Sequence, residues 1–281
     1  MNHRTPLIVD IKRGATEDGP GIRTTVFFKG CPLSCVWCQN PEAIDSREEI
    51  GFYANKCIGC GACAHACPNE AIALEENHRI VRAECLRCGA CADACPARAL
   101  RRIGRVYEIP ALVDIILRDR FFYEASGGGV TLSGGEPTRW PVYAGALLRA
   151  LKEKGIHTAL QTGGHFDYEP VATAMLPWLD LVLFDLKIMD PSEHARYTGR
   201  GNERILDNFL RLLEHGVGIL PRTPLIPGHT DSAENLSRIA GFLAEHHVDG
   251  HRLLPYNPLG QSKRESLGTT RQDDRLGSPV R

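Results

Sequence analysis

All eleven cysteines of this 281-residue chain lie between Cys31 and Cys95. An odd number of cysteines crowded into one segment is a poor disulfide framework. The N-terminal residues carry charges every few positions and contain no apolar core of a secretory signal, which predicts a cytoplasmic protein. Because thiols stay reduced in that compartment, the distribution predicts metal ligands rather than disulfides.

The composition is that of an ordinary globular protein, with 43% hydrophobic and 24% charged residues. The formal net charge is −1, so no strong field attracts nucleic acid or an anionic membrane surface. No apolar run approaches the roughly 18 residues that a membrane span needs. We therefore expect neither a nucleic-acid partner nor a membrane.

Eight of the cysteines belong to an internal repeat with a period of 28 residues, CIGCGACAHACPNEAI at 57–72 and CLRCGACADACPARAL at 85–100. Each copy has the spacing of two-cluster bacterial ferredoxins, in which the fourth cysteine of each run binds the other cluster. Zinc is the alternative metal, and the two repeats in register favour iron–sulfur clusters over it. The spacing predicts one [4Fe–4S] cluster on Cys57, Cys60, Cys63 and Cys95, and another on Cys67, Cys85, Cys88 and Cys91.

The remaining three cysteines, Cys31, Cys35 and Cys38, directly follow a predicted strand at 22–30. A [4Fe–4S] cluster normally takes four cysteines, and the other eight are used by the repeats. One iron is then left open for an outside ligand, which is typical of a catalytic centre. A zinc loop completed by a histidine is the alternative.

Apolar runs with strand and helix character alternate along the rest of the chain, which predicts a parallel sheet with helical crossovers. The count of about six βα units favours an α/β fold, an open, TIM-like partial (β/α)6 barrel with its site at the carboxyl ends of the strands. The predicted strands are 22–30, 129–135, 156–162, 179–187, 217–225 and 251–256, and the predicted helices are 108–120, 140–154, 203–216 and 232–246.

Domain boundaries follow from where the repeat interrupts this pattern. We expect residues 1–51 and 105–268 to form the barrel, and residues 52–104 to form an inserted ferredoxin-like α+β domain. Residues 269–281 are polar and are expected to be disordered, and an altered or truncated terminus is possible there.

The segment DGPGIRTTVFFKGCPLSCVWCQNPE resembles the N-terminal signature of the glycyl-radical-enzyme activases, a radical S-adenosylmethionine (SAM) branch that includes pyruvate formate-lyase activating enzyme. The resemblance implies that SAM chelates the open iron and is cleaved reductively to methionine and a 5′-deoxyadenosyl radical. That radical takes a hydrogen from a glycine of a partner glycyl radical enzyme. The resemblance also implies that catalysis requires anaerobic conditions and a low-potential electron donor such as flavodoxin or ferredoxin.

Further motifs in the same order resemble the SAM pocket of that family. LSGGEP resembles its "GGE" element, which holds the SAM ammonium group, and FDLK resembles its "DLK" element. Trp37 resembles the aromatic residue beside the adenine, with a plain core aromatic as the alternative. The SAM-binding residues that the resemblance implies are Trp37, Cys38, Gln39, Gly134, Gly135, Glu136, Gln161, Thr162, Asp185, Leu186, Lys187 and Asn257.

Three positions depart from the pattern of relatives. Gln161 stands where many have an acidic residue, Asn257 where they often have histidine, and the tail after Gly268 where they continue into a helix. The loss of an acidic residue at Gln161 changes the charge beside the place where the resemblance puts the SAM carboxylate.

Two other functions remain open at this level: a radical SAM enzyme acting on a small molecule, and a ferredoxin-type electron carrier. The repeats likewise either conduct electrons or serve only to dock a partner or stabilise the fold.

Overall fold

The computed structural model describes residues 5–76 and 78–269. Within those residues no helix has the length and apolar character needed to cross a lipid bilayer. The strands are β1 (Ile8–Ala15), β2 (Arg23–Phe28), β3 (Glu49–Phe52), β4 (Leu100–Ile103), β5 (Gly129–Gly134), β6 (His157–Thr162), β7 (Leu181–Asp185), β8 (Gly218–Leu225) and β9 (Arg252–Pro255). The α-helices are α1 (Ala62–His65), α2 (Ala90–Asp93), α3 (Ile109–Leu117), α4 (Arg120–Ser126), α5 (Pro141–Lys152), α6 (Tyr168–Ala174), α7 (Pro191–Thr198), α8 (Glu203–His215), α9 (Ala233–Glu245) and α10 (Gly260–Leu267).

Seven strands form one sheet in the order β1-β2-β5-β6-β7-β8-β9. Every pair from β2 to β9 is parallel, and β1 runs antiparallel along the edge beside β2. β1 and β9 lie at opposite ends of this order, so the sheet stays open. The six parallel strands confirm the prediction of a partial six-stranded barrel, whereas β1 was not predicted.

The middle residues of β2, β5, β6 and β7 are buried on both faces of the sheet. Val26, Leu132, Leu160 and Val182 are fully buried in the main core, together with residues of helices α3, α5 and α8. Burial on both faces explains why β7 is almost continuously apolar in sequence.

Two of the helix ends lie where the sequence placed them. Gly216 follows α8 in the left-handed conformation, with φ of 82°, and so terminates it without the steric cost of a Cβ. Ser232 caps α9 by accepting a hydrogen bond from the backbone N–H of Asn235.

The helix predicted at 108–120 is present as α3, but it ends at Leu117, and a second helix that was not predicted, α4, begins at Arg120. Asp119 lies between the two, and its carboxylate accepts hydrogen bonds from Arg13 of β1 and Thr24 of β2. The residue between the two helices is thereby anchored to the edge of the sheet.

The two cysteine repeats lie outside the large sheet. Helices α1 and α2 are single turns that begin after Gly61 and Gly89, both in the left-handed conformation. β3 and β4 pair antiparallel, and their side chains share a small separate core with the repeats. A separate domain with boundaries at 52–104 stays a prediction, and apart from Thr269 the predicted disordered tail lies outside the described residues.

Candidate active site and metal centres

The loop after β2 brings Cys31, Cys35 and Cys38 together at the carboxyl end of the parallel sheet. Its backbone is fixed by hydrogen bonds from the Cys31 N–H to the carbonyl of Ile44 (2.9 Å) and from the Cys38 N–H to the carbonyl of Cys35 (3.0 Å). The three thiols pack with Leu33, Trp37, Ile188, Tyr197 and Ile226 in one apolar cluster. All three are free, so the loop presents three sulfur ligands.

Burial raises the pKa of each of these thiols, and that of Cys38 to about 12. Cys35 is buried and Cys31 and Cys38 are half-buried. A metal centre would supply the positive charge that stabilises these three thiols as thiolates. The donor set therefore fits an iron–sulfur cluster. Arg264 of α10 adds a cation at the same loop, where its Nη2 donates to the carbonyls of Cys35 and Val36 at 3.1 Å each.

Glu136 ties the end of β5 to the end of β6. Its Oε1 accepts hydrogen bonds from the backbone and hydroxyl of Thr138, and its Oε2 accepts from the Thr162 hydroxyl and the Gly163 N–H, both at 2.9 Å. Burial raises the pKa of Glu136, against the effect of these donors. Both oxygens are thus held in place, so Glu136 offers a fixed carboxylate to a ligand in the site.

Asp185 and Lys187 lie at the end of β7, where they meet a cation from the next strand. Nη2 and Nε of Arg222 donate to Oδ1 of Asp185 at 2.7 and 3.1 Å, and Nζ of Lys187 lies 3.5 Å from Oδ2. Burial opposes the charge on Asp185, but Arg222 and Lys187 outweigh it and lower the pKa of Asp185. The side chains form one buried network of a carboxylate with two cations.

The Glu136 carboxylate and the charged network at the end of β7 both lie beside Gly163. A Cβ at that position would lie 3.6 Å from Nζ of Lys187, 3.7 Å from Oε2 of Glu136 and 3.1 Å from Leu33 of the cysteine loop. The ends of β5, β6 and β7 therefore meet beside the three thiols, and the absence of a side chain at Gly163 leaves room there.

The glycines of LSGGEP are required by close packing. Gly134 has φ of 109°, and a Cβ there would lie 2.3 Å from the backbone nitrogen of Phe28. A Cβ at Gly135 would lie 2.5 Å from the carbonyl oxygens of Gly30 and Ala43. These two positions let the end of β5 pass against the start of the cysteine loop.

Other residues predicted to bind SAM differ in how they face this site. The Gln161 side chain accepts a hydrogen bond from the Ser133 hydroxyl at 3.0 Å, which joins β5 to β6. The Leu186 side chain lies in the main core instead, and its backbone groups bond to β8. Asn257 is exposed and caps the backbone N–H of Leu259.

Trp37 is buried in an aromatic cluster with Tyr197 and His229, whose ring centroids lie 6.2 and 5.4 Å from its own. Gln39, by contrast, is exposed. Helix α10 reaches the same loop, because a Cβ at Gly260 would lie 2.3 Å from the carbonyl oxygen of Cys38. Segments far apart in the sequence thus enclose the third cysteine.

The repeats enclose two small cavities, each lined by four cysteines. Beside the cysteines, the first-repeat cavity is lined by Phe52 and Arg79, and the second-repeat cavity by Ile50 and Arg87. Each cavity takes three cysteines from one repeat and the fourth from the other, as the ferredoxin spacing predicts. The first-repeat cavity has Cys57, Cys60, Cys63 and Cys95, and the second-repeat cavity has Cys67, Cys85, Cys88 and Cys91.

Among residues 5–76 and 78–269, no three histidine, cysteine or acidic side chains converge on a point that a single metal ion would occupy. A [4Fe–4S] cubane is held differently, because each thiolate binds its own iron atom at a different corner.

Comparison with known proteins gives the family. Residues 25–239 match the family described as the radical SAM superfamily. The chain is 41% identical over 281 residues to the trans-4-hydroxy-L-proline dehydratase activating enzyme of Clostridioides difficile, covering 98% of this chain and 92% of that protein. The chain belongs to the glycyl-radical-enzyme activating enzymes of the radical SAM superfamily.

Two further relatives are similarly close to this activating enzyme. The benzylsuccinate synthase activating enzyme of Thauera aromatica is 39% identical over 273 residues, covering 94% of this chain and 82% of that one. The choline trimethylamine-lyase activating enzyme of Oleidesulfovibrio alaskensis is 41% identical over 276 residues, covering 95% and 89%. The resemblance drawn from the cysteine loop is thereby confirmed.

Family membership establishes the radical SAM fold and radical chemistry for this activating enzyme. The family uses one [4Fe–4S] cluster and SAM as cofactors, so membership implies both for this chain. Enzymes of this family generate a radical from SAM and transfer it to a glycine of a glycyl radical enzyme.

Two residues of the activating enzyme's site were missed in the sequence. Arg222 is 2% exposed and sits in the predicted strand 217–225, where it is the lone charged residue of an apolar run. That exception to the pattern was the available signal. Arg264 lies in a polar stretch with several similar residues, so no local signal marks it.

Proposed function

We propose that this chain cleaves SAM at a cluster held by Cys31, Cys35 and Cys38, and installs a radical on one glycine of a partner enzyme. The convergence of these three thiols with the ends of β5, β6 and β7 carries the proposal. When bound, the cluster supplies one electron to the SAM sulfonium, which yields methionine and a 5′-deoxyadenosyl radical.

The roles of the chain's own residues follow from their charges. The amino group of SAM is a donor-only cation, and the fixed carboxylate of Glu136 suits it. Lys187 and Arg222 lie beside Asp185 and place positive charge where the SAM carboxylate would lie. Gly163 keeps the space between these groups open.

The partner's glycine must approach the 5′-carbon of the adenosyl radical. The sheet is open between β1 and β9, so a loop of another protein has a lateral route to the carboxyl ends of the strands. Glycine suits this reaction because it carries no side chain to obstruct the removal of a Cα hydrogen. The relatives named above are named for three different partners, and this chain acts on an enzyme of that kind.

We propose further that the two repeats hold two additional [4Fe–4S] clusters, and that residues 52–104 form a ferredoxin-like domain. The four-cysteine lining of each cavity, with its crossed fourth ligand, supports both statements. The two sites would pass electrons from a low-potential donor, such as a flavodoxin or ferredoxin, to the barrel. An open cluster is readily oxidised, so the enzyme works anaerobically in the reducing cytoplasm.

The test is to reconstitute the full chain with iron and sulfide and to assay it anaerobically for 5′-deoxyadenosine with SAM and dithionite. We expect 5′-deoxyadenosine, its loss in Cys35→Ala, and a glycyl-radical EPR doublet when the partner enzyme is added. Absence of 5′-deoxyadenosine from a fully loaded chain would contradict SAM cleavage. Formation of 5′-deoxyadenosine without a doublet on any glycyl radical enzyme would favour a small-molecule substrate.

A further inference from the structure

The two repeat cavities lie at different positions along β3. β3 starts at Glu49, whose carboxylate is ion-paired at 2.6 Å with Lys29, the buried residue after β2. Ile50 lines the second-repeat cavity and Phe52 lines the first-repeat cavity. Two residues apart on a strand share a face and lie roughly 7 Å apart. Along β3, the second-repeat cavity therefore lies closer to the Glu49–Lys29 ion pair than the first-repeat cavity does.

The second-repeat cavity is also tied to the cysteine loop. Arg87 lines it and is ion-paired at 2.9 Å with Asp45. The neighbouring Ile44 carbonyl accepts the hydrogen bond from Cys31 that fixes that loop. The second-repeat end is therefore joined to the segment that fixes the cysteine loop, whereas the first-repeat end meets the barrel at α10, where His78, packed on Phe52, bonds to the Ser266 carbonyl.

The surface charge differs between the two ends of the repeat segment. At the second-repeat end two cations are paired, Arg87 with Asp45 and Arg102 with both Glu48 and Asp93, while Arg82 donates to the Leu267 carbonyl of α10. A different set of cations surrounds the first-repeat cavity, and none of them is ion-paired to a carboxylate within residues 5–76 and 78–269. These are Lys56, Arg79, Arg98 and Arg101.

Three of these four cations are joined by their contacts, and the fourth, Arg79, lies over the ring of Phe52 in the lining of the same cavity. Lys56 and Arg101 both lie over the ring of Tyr53, at 5.9 and 5.1 Å from its centroid. Arg101 also donates to the carbonyl of Arg98 at 3.0 Å. Two carboxylates, Glu75 and Glu76, lie in an adjoining turn, so the cations are in excess.

An apolar side chain completes this surface. Ile58, between two cysteines of the first-repeat cavity, is 68% exposed, and Cys60 is exposed beside it. An exposed apolar residue next to an electron-transfer site, within a rim of unpaired cations, suits a transient protein partner of opposite charge.

We propose that this first-repeat surface, made of Ile58, Lys56, Arg79, Arg98 and Arg101, is where electrons enter, and that it receives a low-potential electron-transfer protein with an acidic surface. The inference rests on the proposed function of the repeats. One electron leaves the reduced centre of the donor, which is oxidised by one equivalent. It passes through the first-repeat site and then the second-repeat site to the barrel, where one SAM is reduced.

The repeat supplies a matched pair of variants. Ile58 and Leu86 occupy equivalent positions in the two copies and are 68% and 67% exposed. The full chain, reconstituted with iron and sulfide, is tested as Ile58→Asp and as Leu86→Asp. The probe is a flavodoxin with an acidic surface, oxidised for binding by titration calorimetry and reduced for stopped-flow cluster reduction.

We expect Ile58→Asp to weaken binding and slow cluster reduction by about tenfold at low salt, since rim charge acts mainly on association. Leu86→Asp should stay within about twofold of the wild type by the same reasoning. An equal or larger effect of Leu86→Asp would overturn the proposal, because it would place entry at the second repeat.

A charge-reversal pair tests the cations. Lys56→Glu/Arg101→Glu should bind flavodoxin at least about tenfold more weakly and lose the salt dependence of association. The control Arg118→Glu/Lys154→Glu makes the same change in charge at exposed barrel positions and should leave binding unchanged. Equal loss in both double variants would contradict a specific surface.

Dithionite separates this inference from the proposed function. Every variant should keep its iron content and its dithionite-driven formation of 5′-deoxyadenosine, because a small reductant does not need the protein surface. If the wild type itself fails with dithionite, the proposed function is wrong. If dithionite succeeds and flavodoxin reduces all variants equally well, the entry surface alone is wrong.

Discussion

Arg222 of β8 reaches across to β7 and donates two hydrogen bonds to Oδ1 of Asp185, at 2.7 and 3.1 Å. The guanidinium is almost completely buried and the Asp185 side chain is 16% exposed, so water screens this ion pair only weakly. This cross-strand pair holds the carboxylate beside Lys187 and fixes the charge pattern of the proposed SAM pocket.

Removing the Arg222 cation should lower the free energy of unfolding. Arg222→Ala leaves Asp185 buried with Lys187 alone, and loss of one partner of a buried ion pair costs about 3 kcal/mol. We expect that decrease in the free energy of unfolding, measured with urea under anaerobic conditions, together with weaker SAM binding. Arg196→Ala, which removes an exposed ion pair with Glu193, should cost less than about 1 kcal/mol. Equal costs would contradict the importance of burial.

The crossed ligation of the repeats can be tested by iron content. Cys57→Ser/Cys95→Ser removes two cysteines of one cavity, so iron should fall from about twelve atoms per chain to about eight. Cys57→Ser/Cys67→Ser removes one from each cavity and should leave only about four. If each repeat held its own cluster, the two outcomes would be exchanged.

Two helical glycines should respond in opposite ways to alanine. A Cβ at Gly260 would meet the Cys38 carbonyl, whereas nothing lies within 4 Å of one at Gly241 in α9. Gly260→Ala should push α10 away from the cysteine loop, so the barrel cluster should be lost faster to an iron chelator. The measurement is the decrease in cluster absorbance after the chelator is added. Gly241→Ala should instead stabilise the chain by about 0.5–1 kcal/mol. A neutral Gly260→Ala would contradict the close packing of α10.

His194 predicts a loss of stability in mild acid. It is 1% exposed, and burial lowers the pKa of His194 to about 4, although its hydrogen bond to the Arg200 carbonyl opposes this. In the unfolded chain His194 takes up a proton near its ordinary pKa. Its contribution to the free energy of unfolding is therefore complete above about pH 6.5 and falls as the pH drops toward 4.

Between pH 7.5 and 5.5 this should remove about 1.4 kcal/mol from the free energy of unfolding. The measurement is urea unfolding of the wild type and of His194→Gln, which lacks the titrating group and should show a smaller pH dependence. An identical pH dependence in the two proteins would rule out a contribution from His194.

Spacing within short segments was enough to predict much of this protein. The ligand spacing from Cys31 to Cys95, the duplicated repeat and the alternation of apolar runs are local patterns, because a metal loop, a capped helix or a buried strand constrains only neighbouring residues. From them came the open six-stranded barrel, the grouping of cysteines, the end of α8 at Gly216 and the resemblance that the family comparison confirmed.

Tertiary structure alone decided which distant residues meet. Arg222 reaches Asp185, Thr162 reaches Glu136, and α10 closes on Cys38 only because the strand order places their segments side by side. The break at Asp119 and the edge strand β1 have the same origin, since both depend on contacts between segments remote in sequence. Local periodicity does not encode such pairings, because they form only once the chain has folded into one sheet.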